Sequence, residues 1–376
     1  MEKSSQWIVN KRYDAAFIFG GAGASLLVPL LVAWRPEWLV AMFWTWLLLF
    51  DGTHLWASYS RTYIDKDFRR SDKKLLAWSL LVFLAPVFVV GLMWLMGSRR
   101  PVELFLIFAL SWAYYHIFRQ HYGYVSIYDR KANTSRRAHN VNKWTLYVGL
   151  LAPYFYFLLN HPVNLKTANL EYLGESPGLG RLLAAVPILA SVGAVLYFAI
   201  GHLLNRKERG RVSAPSACFV LTCLFVYSMI FYVIAPWEPV FPGARSPVQN
   251  FMVVAMMMSL FHNVQYHAIV WHYNRRKYTQ DADSRGKFGL AVLLNRSFLV
   301  YLLTGVVFAS LYGAIAWFTT DYPSPTGRVM EQVFVPAAFC LWWGLLFHHY
   351  YLDQKIWRVS RKDDLQKHLR VKVEHL

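Results

Sequence analysis

Charged residues are scarce in this sequence. Asp, Glu, Lys and Arg make up 16% of the 376 residues, whereas they make up about a quarter of an ordinary soluble domain. Hydrophobic residues make up 56%, and the few charges lie between long apolar runs. A helix of roughly 20 apolar residues spans the hydrocarbon of a bilayer. The composition therefore excludes an ordinary soluble domain and predicts a chain that crosses a membrane several times.

Cysteine is scarce as well. The three cysteines are Cys218, Cys223 and Cys340, and they form no CxxC pair. This count excludes a secreted disulfide framework, and no cysteine pattern for an iron–sulfur cluster is present. The segment 1–14 is polar and has no signal-peptide pattern.

Acidic residues are outnumbered by basic ones, 21 to 39, which gives a formal net charge of +18. Nucleic-acid binding is one interpretation of such a charge. The basic residues, however, lie in short loops beside apolar spans, which is the positive-inside pattern of membrane proteins. We therefore expect membrane lipid, and no nucleic acid, as a partner.

The apolar runs predict an all-α fold, a polytopic membrane helix bundle that forms a single membrane domain over 1–376. Residues 353–376 are expected to form a basic cytoplasmic tail. The ten predicted transmembrane helices are 15–34, 38–58, 75–96, 102–125, 143–160, 179–203, 214–235, 248–272, 298–318 and 329–351.

The charges in the connections predict the orientation. Basic residues are concentrated in the connections 59–74, 126–142, 204–213 and 273–297 and in the tail. The alternating connections 35–37, 161–178, 236–247 and 319–328 carry few basic residues, and 97–100, with two arginines, is a weak exception. This alternation predicts that both termini lie in the cytoplasm and that the protein resides in the inner membrane of the cell.

Histidines are concentrated in the four spans 38–58, 102–125, 248–272 and 329–351, all predicted to run toward the cytoplasm. An ionisable residue inside a bilayer is costly and points to function. Four of these histidines precede the basic end of their span by six to nine residues, which is roughly 9–14 Å of helix. They are His54, His121, His267 and His349, and we expect them to meet in one layer near the cytoplasmic face. Five further histidines, outside this layer, are expected at the surface or the membrane interface: His139, His161, His202, His368 and His375.

Local spacing supplies further ligands. Asp51 and His54 are three residues apart, and His349 and Asp353 are four apart, so each pair shares a helix face. His116 and His121 are five apart, as are His262 and His267, and five residues leave two rings about 140° apart on a regular helix. Either a π-helical turn aligns both rings of a pair, or one ring binds metal while the other packs or forms a hydrogen bond.

The fourth and eighth predicted spans also resemble each other. A single offset relates Pro101 to Pro247, Phe105 to Phe251, His116 to His262, His121 to His267 and Arg130 to Arg276. The matched histidine pairs favour a duplicated or convergent metal motif over a chance likeness between two apolar helices.

The predicted metal site therefore draws on many imidazoles and carboxylates and on no thiolate. This many donors predicts two metal ions, and iron, zinc, manganese or copper suits such ligands. Polar residues beside the histidines are candidates to hold them in place by hydrogen bonds. The candidate ligands are Asp51, His54, His116, His121, His262, His267, His348, His349 and Asp353. The candidate supporting residues are Arg119, Gln120, Asn263 and Gln265.

This arrangement of histidines on four helices resembles that of the histidine-rich integral-membrane di-iron enzymes, the fatty acid desaturase and hydroxylase class. The family's HxxxH and HxxHH boxes are absent, and His116/His121, His262/His267 and His348–His349 stand in their place. The resemblance implies two iron ions, O2-dependent oxidation of a lipophilic substrate, and an external electron donor protein, since no flavin motif is visible.

Three other functions remain open. A zinc-dependent membrane hydrolase, similar to the alkaline ceramidases, would need about three histidines and a bound water. A metal or proton transporter also uses His and Asp residues along its path, although clustering at one depth argues against a path through the membrane. A b-type haem protein usually pairs histidines about four turns apart on one helix, and that spacing is not seen.

Overall fold

The computed structural model describes residues 6–175, 177–236, 247–279, 284–319, 335–359 and 362–371, and every regular element among them is helical. The predicted all-α class is therefore confirmed. The start of the last predicted span, most of the connections 236–247 and 319–328, and His375 lie outside the described residues.

Within the described ranges, ten long helices follow one another along the chain, and we number them α1 to α10. Three of them contain a π-helical turn: α1 at Asp14–Phe19, α2 at Leu47–Asp51 and α7 at Met229–Ile234. The second helix, α2, consists of Leu39–Trp46, a π-helical turn at Leu47–Asp51, and Gly52–Arg61. The others are α1 Lys11–Trp34, α3 Lys73–Met96, α4 Arg100–Lys131, α5 Arg136–Asn160, α6 Pro177–Lys207, α7 Ala214–Ile234, α8 Pro247–Tyr278, α9 Phe298–Thr319 and α10 Val335–Ile356.

Seven of these helices, within the part of the chain that is described, are long and apolar enough to cross a membrane: α1, α3, α4, α6, α7, α8 and α9. They indicate an integral membrane protein. The remaining three predicted spans fall on α2, α5 and α10, which are helical but more polar. In α2 and α10 the polarity comes partly from the candidate ligands themselves, such as Asp51, His54 and Asp353.

The orientation stays a prediction, and reporter fusions test it. A periplasm-active phosphatase inserted at 161–178 or 236–247 should be active, because each of these connections carries only one Lys or Arg and clusters of basic residues are what hold loops in the cytoplasm. The same reporter inserted at 126–142 should be inactive. An inactive phosphatase at 161–178 or at 236–247 would contradict the ten-span topology and the shared depth of the histidines.

The chain divides into two compact units, each assembled from separate stretches of sequence. The first comprises Met1–Val40, Ser111–Gln265 and Leu369–Leu376. Within it, α5 packs closely against α6 and α7, because a Cβ at Gly201 would lie 2.4 Å from a methyl group of Val141 and one at Gly149 would lie 2.7 Å from Leu224. Glycine at these two positions lets the helix backbones approach each other, as is common between membrane helices.

The second unit comprises Ala41–Leu110 and Tyr266–His368. Here α9 packs against α2 and α10, and the rings of Tyr312 and Trp342 stack with centroids 3.9 Å apart. A short helix, Asp363–Leu369, follows α10, and it is held to α8 by a hydrogen bond from Tyr273 to Asp364 and one from Arg276 to the carbonyl of His368.

Of the two alternatives for the HxxxxH pairs, the π-helical widening of the fourth and eighth spans is wrong. Both α4 and α8 are regular α-helices through 116–121 and 262–267. A π-helical turn lies instead at Leu47–Asp51, where it includes the candidate ligand Asp51 and ends three residues before His54. The two rings of each HxxxxH pair therefore point about 140° apart. As a result, the two histidines of a pair lie in different surroundings.

Candidate metal centre

His54 is placed by the close packing of α2 against α9 in the second unit. Two residues before it, a Cβ on Gly52 would lie 2.6 Å from the Cβ of Ala309, a separation that no ordinary side chain could accept. The absence of a side chain at Gly52 thus lets the backbones meet and sets the rotation of α2. The His54 ring then lies 4.4 Å from the ring of His349 and 4.2 Å from that of Tyr266, between centroids.

His348 and His349 of α10 lie in different surroundings, because adjacent residues point about 100° apart on a helix. His349 is fully buried and faces Asp353 one turn later, with Nε2 3.8 Å from Oδ2. His348 lies among hydroxyl groups: its Nε2 is 2.8 Å from Ser79 and 3.0 Å from Tyr63, and its Nδ1 is 3.1 Å from Tyr59. Both ring nitrogens of His348 are thus hydrogen-bonded to protein groups.

Four of the predicted ligands form a group that could hold a metal ion. Each of His54, His116, His349 and Asp353 offers one ligand atom within 4.8 Å of those of the other three. Their exposed fractions are 3%, 5%, 0% and 6%, so all four side chains are buried. Three imidazoles and one carboxylate are donors that suit a transition metal.

A hydroxyl network holds the α10 residues of this group. Ser58 Oγ lies 2.6 Å from Asp353 Oδ1 and 2.9 Å from His349 Nδ1. Tyr266 donates a second 2.6 Å hydrogen bond to the same carboxylate oxygen. The indole N–H of Trp357 lies 3.2 Å from the Tyr266 hydroxyl and donates to it. Such partners orient metal ligands.

Sequence patterns assign no role to Ser58, Tyr266 or Trp357. One signal was available for Ser58, which follows His54 by four residues and therefore shares its helix face. Tyr266 is one of several tyrosines near the histidines, and tyrosines are also common at the membrane–water interface for reasons unrelated to a metal site. Trp357 lies beyond the last predicted span.

The histidine pairs of α4 and α8 divide as a regular helix requires. In the first unit the ring of His116 lies 5.0 Å from that of His262, whereas Nε2 of His121 is 2.8 Å from the hydroxyl of Tyr227. In the second unit His267 bonds through Nε2 to Thr53, at 3.0 Å, and through Nδ1 to Tyr301, at 2.9 Å. The four-residue group includes His116 and not the other three histidines of these helices.

The remaining candidate ligand and the supporting residues lie as follows. Asp51 accepts a hydrogen bond from Tyr312 at 3.2 Å. Gln120 donates to the carbonyl of His262 at 2.9 Å, and Gln265 donates to the carbonyl of Ile18 at 2.8 Å. Asn263 is buried, while Arg119 is exposed and hydrogen-bonded to Tyr147.

Two of the five histidines expected at the surface are buried, so that expectation is wrong for His161 and His368. Burial lowers the pKa of His161 to about 4, so it is neutral at physiological pH. His139 bonds to Asp129 at 2.9 Å and His202 to Asn142 at 2.9 Å. These contacts show that histidines outside the four-residue group also have polar partners.

Comparisons with known proteins add no family: no family model, curated protein or solved structure matches this chain. The four-residue group and its surroundings therefore carry the functional inference.

Proposed function

We propose that this protein is a membrane metalloenzyme, an O2-dependent oxidoreductase that acts on a lipophilic substrate with a transition metal held by His54, His116, His349 and Asp353. The single observation that carries the proposal is the convergence of these four buried side chains within 4.8 Å. Binding of a metal would stabilise imidazoles and a carboxylate that have been withdrawn from water.

The number of donors favours iron over zinc for catalysis. Zinc in proteins is usually four-coordinate, and a site that supplies all four ligands is closed and structural. Iron accepts more ligands, and sites of two histidines and one carboxylate with open positions are typical of non-haem iron oxygenases. Three histidines and one aspartate would leave an iron ion with coordination positions for exogenous molecules.

A second metal ion, as the resemblance to the di-iron class implies, would need more ligands than the four-residue group contains. Two histidines have rings near those of the group within the same unit: His262 beside His116, at 5.0 Å, and His267 beside His54, at 6.5 Å. His267 would have to leave its hydrogen bonds to Thr53 and Tyr301 to serve as a ligand. One metal ion per chain is therefore the simpler form of the proposal.

The substrate and partners follow from the surroundings of the site. A bound iron ion would supply activation of O2, which the side chains alone cannot provide. A site within apolar helices suits a substrate that enters from the bilayer, and the chain shows no motif for a flavin or an iron–sulfur cluster. An external electron donor protein at the cytoplasmic face completes the proposal.

Metal analysis with an oxygen assay tests this function. Protein purified without chelator should contain about one iron per chain, and with lipid vesicles and a chemical reductant it should consume O2. Removing the metal with a chelator should stop the O2 uptake, and Fe²⁺ should restore it while Zn²⁺ should not.

The result also separates the proposal from the hydrolase. About one zinc per chain, with lipid hydrolysis and without O2 uptake, would establish the zinc-dependent membrane hydrolase instead. Substoichiometric metal under all growth conditions would exclude both enzymes.

A further inference from the structure

The hydrogen-bond network around Asp353 has a direction. Trp357 Nε1 can only donate, so the Tyr266 oxygen accepts a hydrogen bond from it at 3.2 Å. The Tyr266 hydroxyl in turn donates a hydrogen bond to Asp353 Oδ1 at 2.6 Å. The order Trp357, Tyr266, Asp353 therefore ends on a carboxylate oxygen.

Ser58 has one proton and several partners. Its Oγ lies 2.6 Å from Asp353 Oδ1, 2.6 Å from the Tyr266 hydroxyl and 2.9 Å from His349 Nδ1. A carboxylate is a charged acceptor and forms hydrogen bonds that are roughly twice as strong as those of neutral acceptors. Ser58 therefore donates its hydrogen bond to Asp353, and its oxygen accepts one from the Nδ1–H tautomer of His349.

From this network we infer that Ser58 and Tyr266 are positioning residues, which select the ligand atoms of the metal site. A proton on Nδ1 leaves the other nitrogen of His349, Nε2, with its lone pair for a metal. The hydrogen bonds from Ser58 and Tyr266 hold Oδ1 of Asp353, so its other oxygen, Oδ2, faces Nε2 of His349. The two proposed ligand atoms, His349 Nε2 and Asp353 Oδ2, lie 3.8 Å apart. The inference rests on the proposed metal site and adds how that site is oriented.

The neighbouring histidine provides a matched comparison. Ser79, like Ser58, is fully buried and bonds an α10 histidine, with its Oγ 2.8 Å from His348 Nε2. His348 does not belong to the four-residue group. Replacing either serine thus removes one buried hydroxyl next to a histidine, and only one of the two histidines is a proposed ligand.

The test uses the full-length protein in detergent, with Co²⁺ as the probe. Dissociation constants come from competition with a chelator, and the visible absorption of bound Co²⁺ reports its coordination. Ser58→Ala should weaken Co²⁺ binding about 10- to 100-fold, as loss of such supporting partners does in other metal sites, and change the absorption spectrum. Ser79→Ala should leave both unchanged. Tyr266→Phe, which keeps the ring, should shift the same absorption bands and serves as the measurement if Ser58→Ala does not fold.

The outcomes separate the inference from the function on which it rests. If the unaltered protein binds no Co²⁺, the proposed metal site fails, and the positioning roles fail with it. If it binds Co²⁺ and Ser58→Ala and Tyr266→Phe bind it equally well with the same spectrum, only the inference is overturned. An equal loss in Ser58→Ala and Ser79→Ala would mean a general loss of packing and would also overturn it.

Discussion

Replacing His54 or His349 with alanine should abolish metal binding and oxygen uptake together. Each residue supplies one of only four donors in the group, so its loss should weaken metal binding by more than about 100-fold, since even supporting partners of ligands contribute 10- to 100-fold. The measurement is metal content per chain after gel filtration, with O2 consumption on the same samples.

The best control is His348→Ala. It lies beside His349 on α10, is buried too, and bonds Ser79, Tyr63 and Tyr59. It should retain its metal. Two further variants, His121→Ala and His267→Ala, test the ligands that were expected from depth alone and that are not in the four-residue group. Both variants should keep their metal. The His121 ring bonds Tyr227, and the His267 ring bonds Thr53 and Tyr301. Full metal content in His54→Ala and His349→Ala would place the site elsewhere and remove the main support for the oxidoreductase.

Replacing Asp65 with alanine should cause a large loss of stability, up to about 3–5 kcal/mol, because it removes the closer and buried ion-pair partner of a buried cation. The cation, Lys277, keeps only Asp364, whose side chain is 47% exposed and whose Oδ2 lies 3.6 Å away. Lys277 Nζ lies 2.9 Å from Asp65 Oδ2, and the two side chains are 9% and 0% exposed. Asp65 also accepts a hydrogen bond from Tyr278 at 3.1 Å and caps the short helix Lys66–Ser71. The measurement is the free energy of unfolding of the purified protein in detergent.

Two further variants test the cause. Asp72→Ala removes a partly exposed pair, in which Lys362 lies 3.2 Å away, and should cost at most about 1 kcal/mol. The double variant Asp65→Ala, Lys277→Met should recover part of the lost stability, because the buried charge is then gone. A cost for Asp65→Ala no greater than that for Asp72→Ala would contradict this cause and would show that Asp364 alone, or water, is enough to pair Lys277.

The spacing of the histidines predicts only part of the candidate site. The five-residue spacing in α4 predicts that His116 and His121 point apart unless the helix widens, and the regular helix sends one to the metal group and the other to Tyr227. The spacing cannot indicate which ring faces the group. That choice depends on which neighbour supplies a hydroxyl, and Tyr227 lies 106 residues away along the chain.

The adjacent residues His348 and His349 also differ in surroundings that the sequence does not show. Both lie in one helix and both are buried. The sequence makes both of them candidate ligands and favours His349, which shares a helix face with Asp353. The position of α10 against α2 and α3 decides between them, because Ser79 and Tyr63 occupy one side and Ser58 the other. Ser58 and Ser79 are ordinary helix residues in the sequence, and only their contacts distinguish them.

The sequence by itself determined the class of this protein, the positions of its helices and the pool of nine candidate ligands, because apolar length, charge and periodicity are local properties of the chain. Only the tertiary structure decided that His54, His116, His349 and Asp353 come together. Periodicity sets which residues share a face of one helix, but the rotation of each helix about its axis is set by packing. The contact of Gly52 with Ala309, between residues far apart in the chain, is one such determinant.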